Sequence, residues 1–182
     1  MTNTRNKACG TLMYLQRNLR ITSTQVKTTA YNSYVRPRLE YASTVWDPHT
    51  QGNVDKLEMV QRRAARWVLG RFHQRSSVSD MLAHLKWPSL QRRRAESRLA
   101  MLYKMHNNLV ALDTSVILSP LSGIALSANP HKFHEQQIHT LLHRNSFFPR
   151  TINQWNSLPA DVALAPSLDT FKRRLGQLPR LP

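Results

Sequence analysis

The sequence is short of several residue types, and each shortage excludes something. Of 182 residues, one is cysteine, Cys9, and five are glycine. A lone cysteine excludes an intrachain disulfide and a Cys-rich zinc site, and it fits a reducing compartment, nucleus or cytoplasm. Cys9 lies in an apolar-periodic stretch and reads as a small core residue rather than a nucleophile. Scattered glycines leave no Gly-rich phosphate loop, and no G-x-S-x-G is present. The aspartates, Asp47, Asp55, Asp80, Asp113, Asp161 and Asp169, are all isolated. Two-metal nucleotidyl transfer needs clustered acids, so no catalytic residue is assigned. The longest uncharged stretch, Thr114 to His131, contains Pro120, Gly123, Pro130 and several serines, and it reads as a linker rather than a membrane span. Met1 to Lys7 is polar, with no apolar run behind it that would make a signal peptide.

What the sequence does have is positive charge. Lysine plus arginine number 26 against 10 acids, a formal net charge of +16. Residues 1–109 hold 19 basic and 6 acidic residues, and residues 110–182 hold 7 and 4. Such a surface suits a polyanionic partner, since neutralising phosphates releases their counterions. An anionic membrane surface and simple solubility are the rival readings, and nucleic acid is favoured over both. Hydrophobic residues make up 41%, enough for a packed core in one domain or two small ones.

The apolar spacing predicts a mainly α chain. Ala8, Leu12, Leu15 and Leu19 repeat at helical spacing. Thr22 and Ser23 are candidate caps for a second helix from about Thr24 to Arg36, which Pro37 should kink or end. Tyr41, Val45 and Trp46 resume the apolar pattern before an Asp47-Pro48 turn. Asn53 is the expected N-cap of a third helix, with Leu57, Val60, Ala64, Trp67 and Val68 on one face and Gly70 as its stop. Glu58, four residues before Arg62, is placed to pair with it. Ser77 and Asp80 form a capping-box-like start to a short helix. Pro88 is expected to open a long helix to about Asn107, whose second half is apolar around most of its circumference and should be buried. Residues 131–148 alternate enough for a short hairpin. Ser167 caps a final helix with Leu168, Phe171 and Leu175 on one face and Asp169 in its first turn. The expected architecture is a basic helical bundle over 1–109, a linker over 110–130, and a small mixed tail domain over 131–182 ending in a helix.

The best candidate contacts for nucleic acid are Arg62, Arg63, Arg66 and Arg71, since a helix with an apolar back and an arginine front can dock on a core and face phosphates. Arg17, Arg20, Lys27, Arg36 and Arg38 come next. Arg92, Arg93 and Arg94 are consecutive, so they point about 100° apart and cannot all line one groove; Glu96 is spaced to pair with Arg92. His131, His134, His139 and His143 cluster, but the spacing from His134 and Glu135 to His139 is one residue too long for the zincin motif. No metal or cofactor is assigned. Trp46, Trp67, Trp87 and Trp155 read as core anchors rather than base-stacking platforms, and the tyrosines are given no separate role.

Five segments carry a family resemblance: KACGTLMYLQRNLR (Lys7 to Arg20), YVRPRLEYASTVWDP (Tyr34 to Pro48), LEMVQRRAARWVLG (Leu57 to Gly70), NSFFPRTINQWNSLP (Asn145 to Pro159) and APSLDTFKRRL (Ala165 to Leu175). In this order they resemble the region downstream of the palm in LINE-type, Jockey-like non-LTR retrotransposon reverse transcriptases, and they cover nearly the whole chain. The resemblance implies an RNA-directed DNA polymerase whose catalytic acids lie in a palm preceding residue 1, with Met1 an internal methionine or a gene-model start rather than a native beginning. No counterpart of the family's Y/F-x-D-D motif occurs here, so no catalytic role carries over. The N-terminal part matches the helical thumb that grips template–primer duplex, and the partners implied are an RNA/DNA duplex and the missing palm, not a membrane. Some related elements carry a Cys/His zinc knuckle near the end; this chain lacks the cysteines. Two rival expectations remain: a relic or structural fragment with no activity of its own, and an exapted stand-alone DNA- or protein-binding domain. An enzyme acting alone is the reading least favoured.

Overall fold

The computed structural model describes residues 2–72, 77–112, 114, 117–121, 131–179 and 181. They form helices joined by short connections, the mainly α architecture expected. Among the described residues there is no strand, only an isolated antiparallel bridge between Pro120 and Phe133. The chain divides into two compact units, residues 1–94 and 95–182.

The first unit opens with α1 (Thr2–Asn18). Ala8, Leu12 and Leu15 are buried along one face, with Cys9 and Leu19 partly buried against the same core. Ser23 caps α2 (Thr24–Ala30), its Oγ accepting the Val26 N–H at 3.3 Å. Proline does not end this run as expected. A π-helical turn (Tyr31–Val35) leads into α3 (Arg36–Glu40), with Pro37 in its first turn. There the missing N–H is no loss, and the wider turn takes the preceding carbonyls away from the proline ring. After the short α4 (Ser43–Trp46) comes α5 (Gln51–Leu69). It starts before the expected cap: Thr50 holds the extended N-cap backbone, and Asn53 donates its N–H to the Thr50 carbonyl at 3.0 Å. Gln51 reaches Asp55 one turn on at 2.9 Å, which supports the extra turn.

Gly70 ends α5 as its sequence position suggests. At φ 65° it donates to the Trp67 carbonyl while Arg71 donates to that of Arg66, satisfying two terminal carbonyls. Ser77 caps α6 (Val78–His84) by accepting the Asp80 N–H at 3.3 Å. The long helix, α7 (Leu90–His106), starts after Ser89 rather than at Pro88, because the Ser89 hydroxyl accepts the Arg92 N–H at 3.1 Å. The core of the unit gathers Leu12, Val35, Leu39, Leu57, Val60 and Leu90, among others. Each such side chain contributes roughly 1.5–3 kcal/mol on burial.

The division between the units falls inside α7, not at the expected limit of 109. Leu99, Leu102, Tyr103 and Met105 pack with Phe133, Ile152, Trp155 and Phe171, so they belong to the second core. The expected linker, 110–130, lies largely outside the described residues. Its described part does more than span: Leu118 is buried in the second core, and His134 donates its N–H to the Ser119 carbonyl at 3.0 Å.

The second unit continues with α8 (Leu141–Arg144), α9 (Phe147–Asn156), α10 (Ala160–Ala163) and α11 (Leu168–Gln177). No hairpin forms over 131–148, where one was expected. The Phe133 backbone bonds instead to the Asn156 side chain, its N–H to Oδ1 at 3.0 Å and its carbonyl from Nδ2 at 2.9 Å. One amide group thus does the work of a partner strand. Trp155 adds a bond from Nε1 to the His131 carbonyl at 2.7 Å. Thr140 then caps α8 through the His143 N–H at 3.1 Å, committing the next residues to helix. The tail is therefore helical rather than mixed. Its last helix matches expectation: Ser167 accepts the Thr170 N–H, and Phe171 and Leu175 are buried. No helix among the described residues is long and apolar enough to cross a membrane.

Candidate nucleic-acid interface

Helix α5 separates its residues cleanly. Val54, Leu57, Val60, Ala64 and Trp67 are buried, whereas Lys56, Met59, Arg62 and Arg63 are exposed and Arg66 is half-buried. From Lys56 to Arg66 this outward stripe runs about 15 Å at 1.5 Å per residue. That is the axial rise of about four phosphate steps along one strand of a duplex. Glu58 does not turn to Arg62 as expected. It is buried and accepts the Gln91 N–H at 2.8 Å, so it neutralises the start of α7 instead. Gln61 beside it donates from Nε2 to the Pro88 carbonyl at 2.9 Å. Both polar residues of the inner face thus serve the docking of α7, and the arginines stay outside.

Other expected contacts gather at one end of α5. The Lys27 ammonium lies 5.9 Å from the centre of the Trp67 ring, which brings α2 beside the last turns of α5. Arg66 and the exposed Arg71 belong to that end; Arg17, in the last turn of α1, and Arg20, in the α1–α2 connection, are exposed. Arg36 and Arg38 do not join them. They lie about 15 Å further along the α2–α3 run, with Arg36 half-buried and Arg38 exposed.

The Arg92–Arg94 run is mostly withdrawn from solvent contact with a ligand. Arg93 pairs with Glu40, with Nη2 to Oε2 at 3.1 Å. Arg94 is fully buried, with Nε 2.7 Å from Asp47 Oδ1. Its burial disfavours the charged guanidinium, and Glu58 and Glu40 oppose that effect. These two arginines hold the unit together.

The tryptophans behave as core anchors: Trp67, Trp87 and Trp155 are buried, and Trp87 stacks on Tyr31 with centroids 4.2 Å apart. Burial also pushes the Tyr31 hydroxyl above its ordinary range. The tyrosines split in a way the sequence reading missed. Tyr14 and Tyr34 are exposed and line an open groove between α1 and the π turn, together with Asn18 and Arg38. The helical spacing carried the signal, since Tyr14 sits about 200° around α1 from Leu12. Exposed rings beside an arginine can stack on bases while the guanidinium takes a phosphate.

Among the described residues no three histidine, cysteine or acidic side chains stand together as a metal site. His134 and His139 are exposed, and His131 contacts His106 instead, ring nitrogen to ring nitrogen at 3.1 Å.

Comparison with protein-family models, curated proteins and solved structures returns no significant match.

Proposed function

We propose that this chain is a non-catalytic, nucleic-acid-binding piece of a non-LTR retrotransposon reverse transcriptase. In this reading its first unit grips template–primer duplex as a thumb does. The observation that carries the reading is the α5 stripe: Arg62 and Arg63 stand exposed opposite a buried face, in a unit holding 17 basic and 5 acidic residues. Exposed guanidiniums on a rigid helix suit phosphate contacts, which position a duplex without reading its bases. The five family-like segments supply the retrotransposon part of the proposal.

The test is duplex binding by the full chain across a salt series. The Arg62→Ala/Arg66→Ala double variant is expected to weaken binding and to lower the salt slope by about 1.5–2, one phosphate contact for each arginine. An unchanged slope in a correctly folded variant removes these residues from the interface.

One observation favours a second reading, a fragment that packs against a missing palm. The first unit exposes Ile21, Tyr41, Val45 and Phe72, large apolar groups that a partner polypeptide would cover. Aggregation of the isolated chain, relieved by co-expression with a palm, supports that reading; a monodisperse chain opposes it.

A further inference from the structure

The second unit contains a polar pocket that the duplex reading does not use. Its volume is about 290 Å³, and Gln136, Arg144, Asn145, Arg150, Asn153 and Gln154 line it. We propose that this pocket binds a single phosphate group, separately from the duplex surface of the first unit.

The helix supplies the arrangement. Arg150, Asn153 and Gln154 are spaced i, i+3, i+4 on α9 and so share a face. Arg144 and Asn145 come from the end of α8, just before α9. The Gln154 carbonyl is committed, since Oε1 accepts from Arg98 Nη2 at 2.9 Å. Arg98 lies behind it, 2% exposed. Its guanidinium is pushed down to about 9, first by burial and then by the charge of Arg150. Arg150 lines the pocket, and Arg144 adds a second positive charge at its exposed rim. The lining holds one carboxylate, Glu135, which is exposed.

The donor set selects among anions. The guanidinium forks of Arg144 and Arg150, with the amides of Gln136 and Asn153, offer more N–H groups than the two oxygens of a carboxylate can take, and they match a phosphate with three or four. The volume limits the ligand to a phosphate with part of a sugar, since specific ligand pockets run from about 300 Å³ upward. Free phosphate and the terminal phosphate of a nucleotide or strand share this chemistry.

The experiment titrates the full chain with inorganic phosphate, with sulfate, and with a short single-stranded oligonucleotide bearing or lacking a 5′-phosphate. Wild type is expected to bind inorganic phosphate. Arg144→Gln, at an exposed position, and Arg150→Lys, which keeps the charge but loses the fork, should each weaken it roughly tenfold or more, the loss of a charge-assisted bond. Competition between inorganic phosphate and the 5′-phosphorylated strand alone identifies a strand terminus as the source. Binding of inorganic phosphate without such competition identifies the free anion. Equal binding of sulfate, or wild-type affinity in both variants at unchanged thermal stability, overturns the proposal. The Arg62→Ala/Arg66→Ala variant should keep full phosphate binding, so failure of the duplex reading and failure of this one are told apart.

Discussion

The two units use arginine in opposite ways. In the first, 17 basic residues face 5 acids, and the arginines of α5 stand on its outer stripe with a buried core behind them. In the second, 9 face 5, with Arg98 buried and Arg150 half-buried in a unit whose core is built on Tyr103, Phe133, Trp155 and Phe171. Those rings stack closely, Tyr103 on Phe171 at 4.6 Å and Trp155 on Phe171 at 5.6 Å between centroids. The lesson concerns charge counting. A basic excess says where positive charge is concentrated, but burial decides which arginines stand at the surface. Arg93 and Arg94 show this within the first unit itself, where they serve Glu40 and Asp47.

The contrast can be broken at its most sensitive point. Asp47→Ala leaves the buried Arg94 charge without its carboxylate and is expected to cost about 3–5 kcal/mol. Chemical denaturation followed by tryptophan fluorescence should show the transition of the first unit moving and that of the second staying. Equal movement of both would mean that the units do not unfold separately. A smaller effect is expected in the second unit. Tyr103 donates its hydroxyl to the Ala165 carbonyl at 2.8 Å, and both residues are buried. Tyr103→Phe should cost about 1–3 kcal/mol by leaving that carbonyl unpaired, read as a lower denaturation midpoint of the second unit.

Acidity sharpens the comparison further. His106 sits below its ordinary value of 6.5, held down by burial and then by the charge of His131. The unfolded chain therefore takes up the proton more readily than the folded one. The stability of the second unit should be full above pH 6.5 and fall as the pH drops below it. Denaturation midpoints measured at about pH 7.5 and about pH 5.5 test this, and His106→Gln should flatten the difference. The smallest effect on stability belongs to Arg62→Ala, less than about 0.5 kcal/mol by thermal unfolding, because an exposed side chain away from caps and cores contributes little.

Much of the helical framework was legible before any coordinates. The period of Ala8, Leu12 and Leu15, the Ser23, Ser77 and Ser167 caps and the Gly70 stop are local features, and local rules describe them. Pro37 is expected to kink or end its helix; it does not end it, because a π turn carries the helical run across. The hairpin over 131–148 failed because Asn156, more than twenty residues away, supplies the pairing for Phe133. For the interface, the α5 stripe followed from spacing, while the groove of Tyr14 and Tyr34 needed α1 set beside the π turn.

Composition and period were sufficient for a basic, mainly helical chain with most of its net positive charge before residue 110, because charge sums over residues and helical faces repeat locally. The partner of Glu58, the burial of Arg94, the domain limit inside α7 and the meeting of Arg98 with Gln154 belong to the folded chain. Each joins residues tens of positions apart. A buried charge or amide takes whatever partner the packing brings within hydrogen-bond reach, and sequence spacing does not encode that distance.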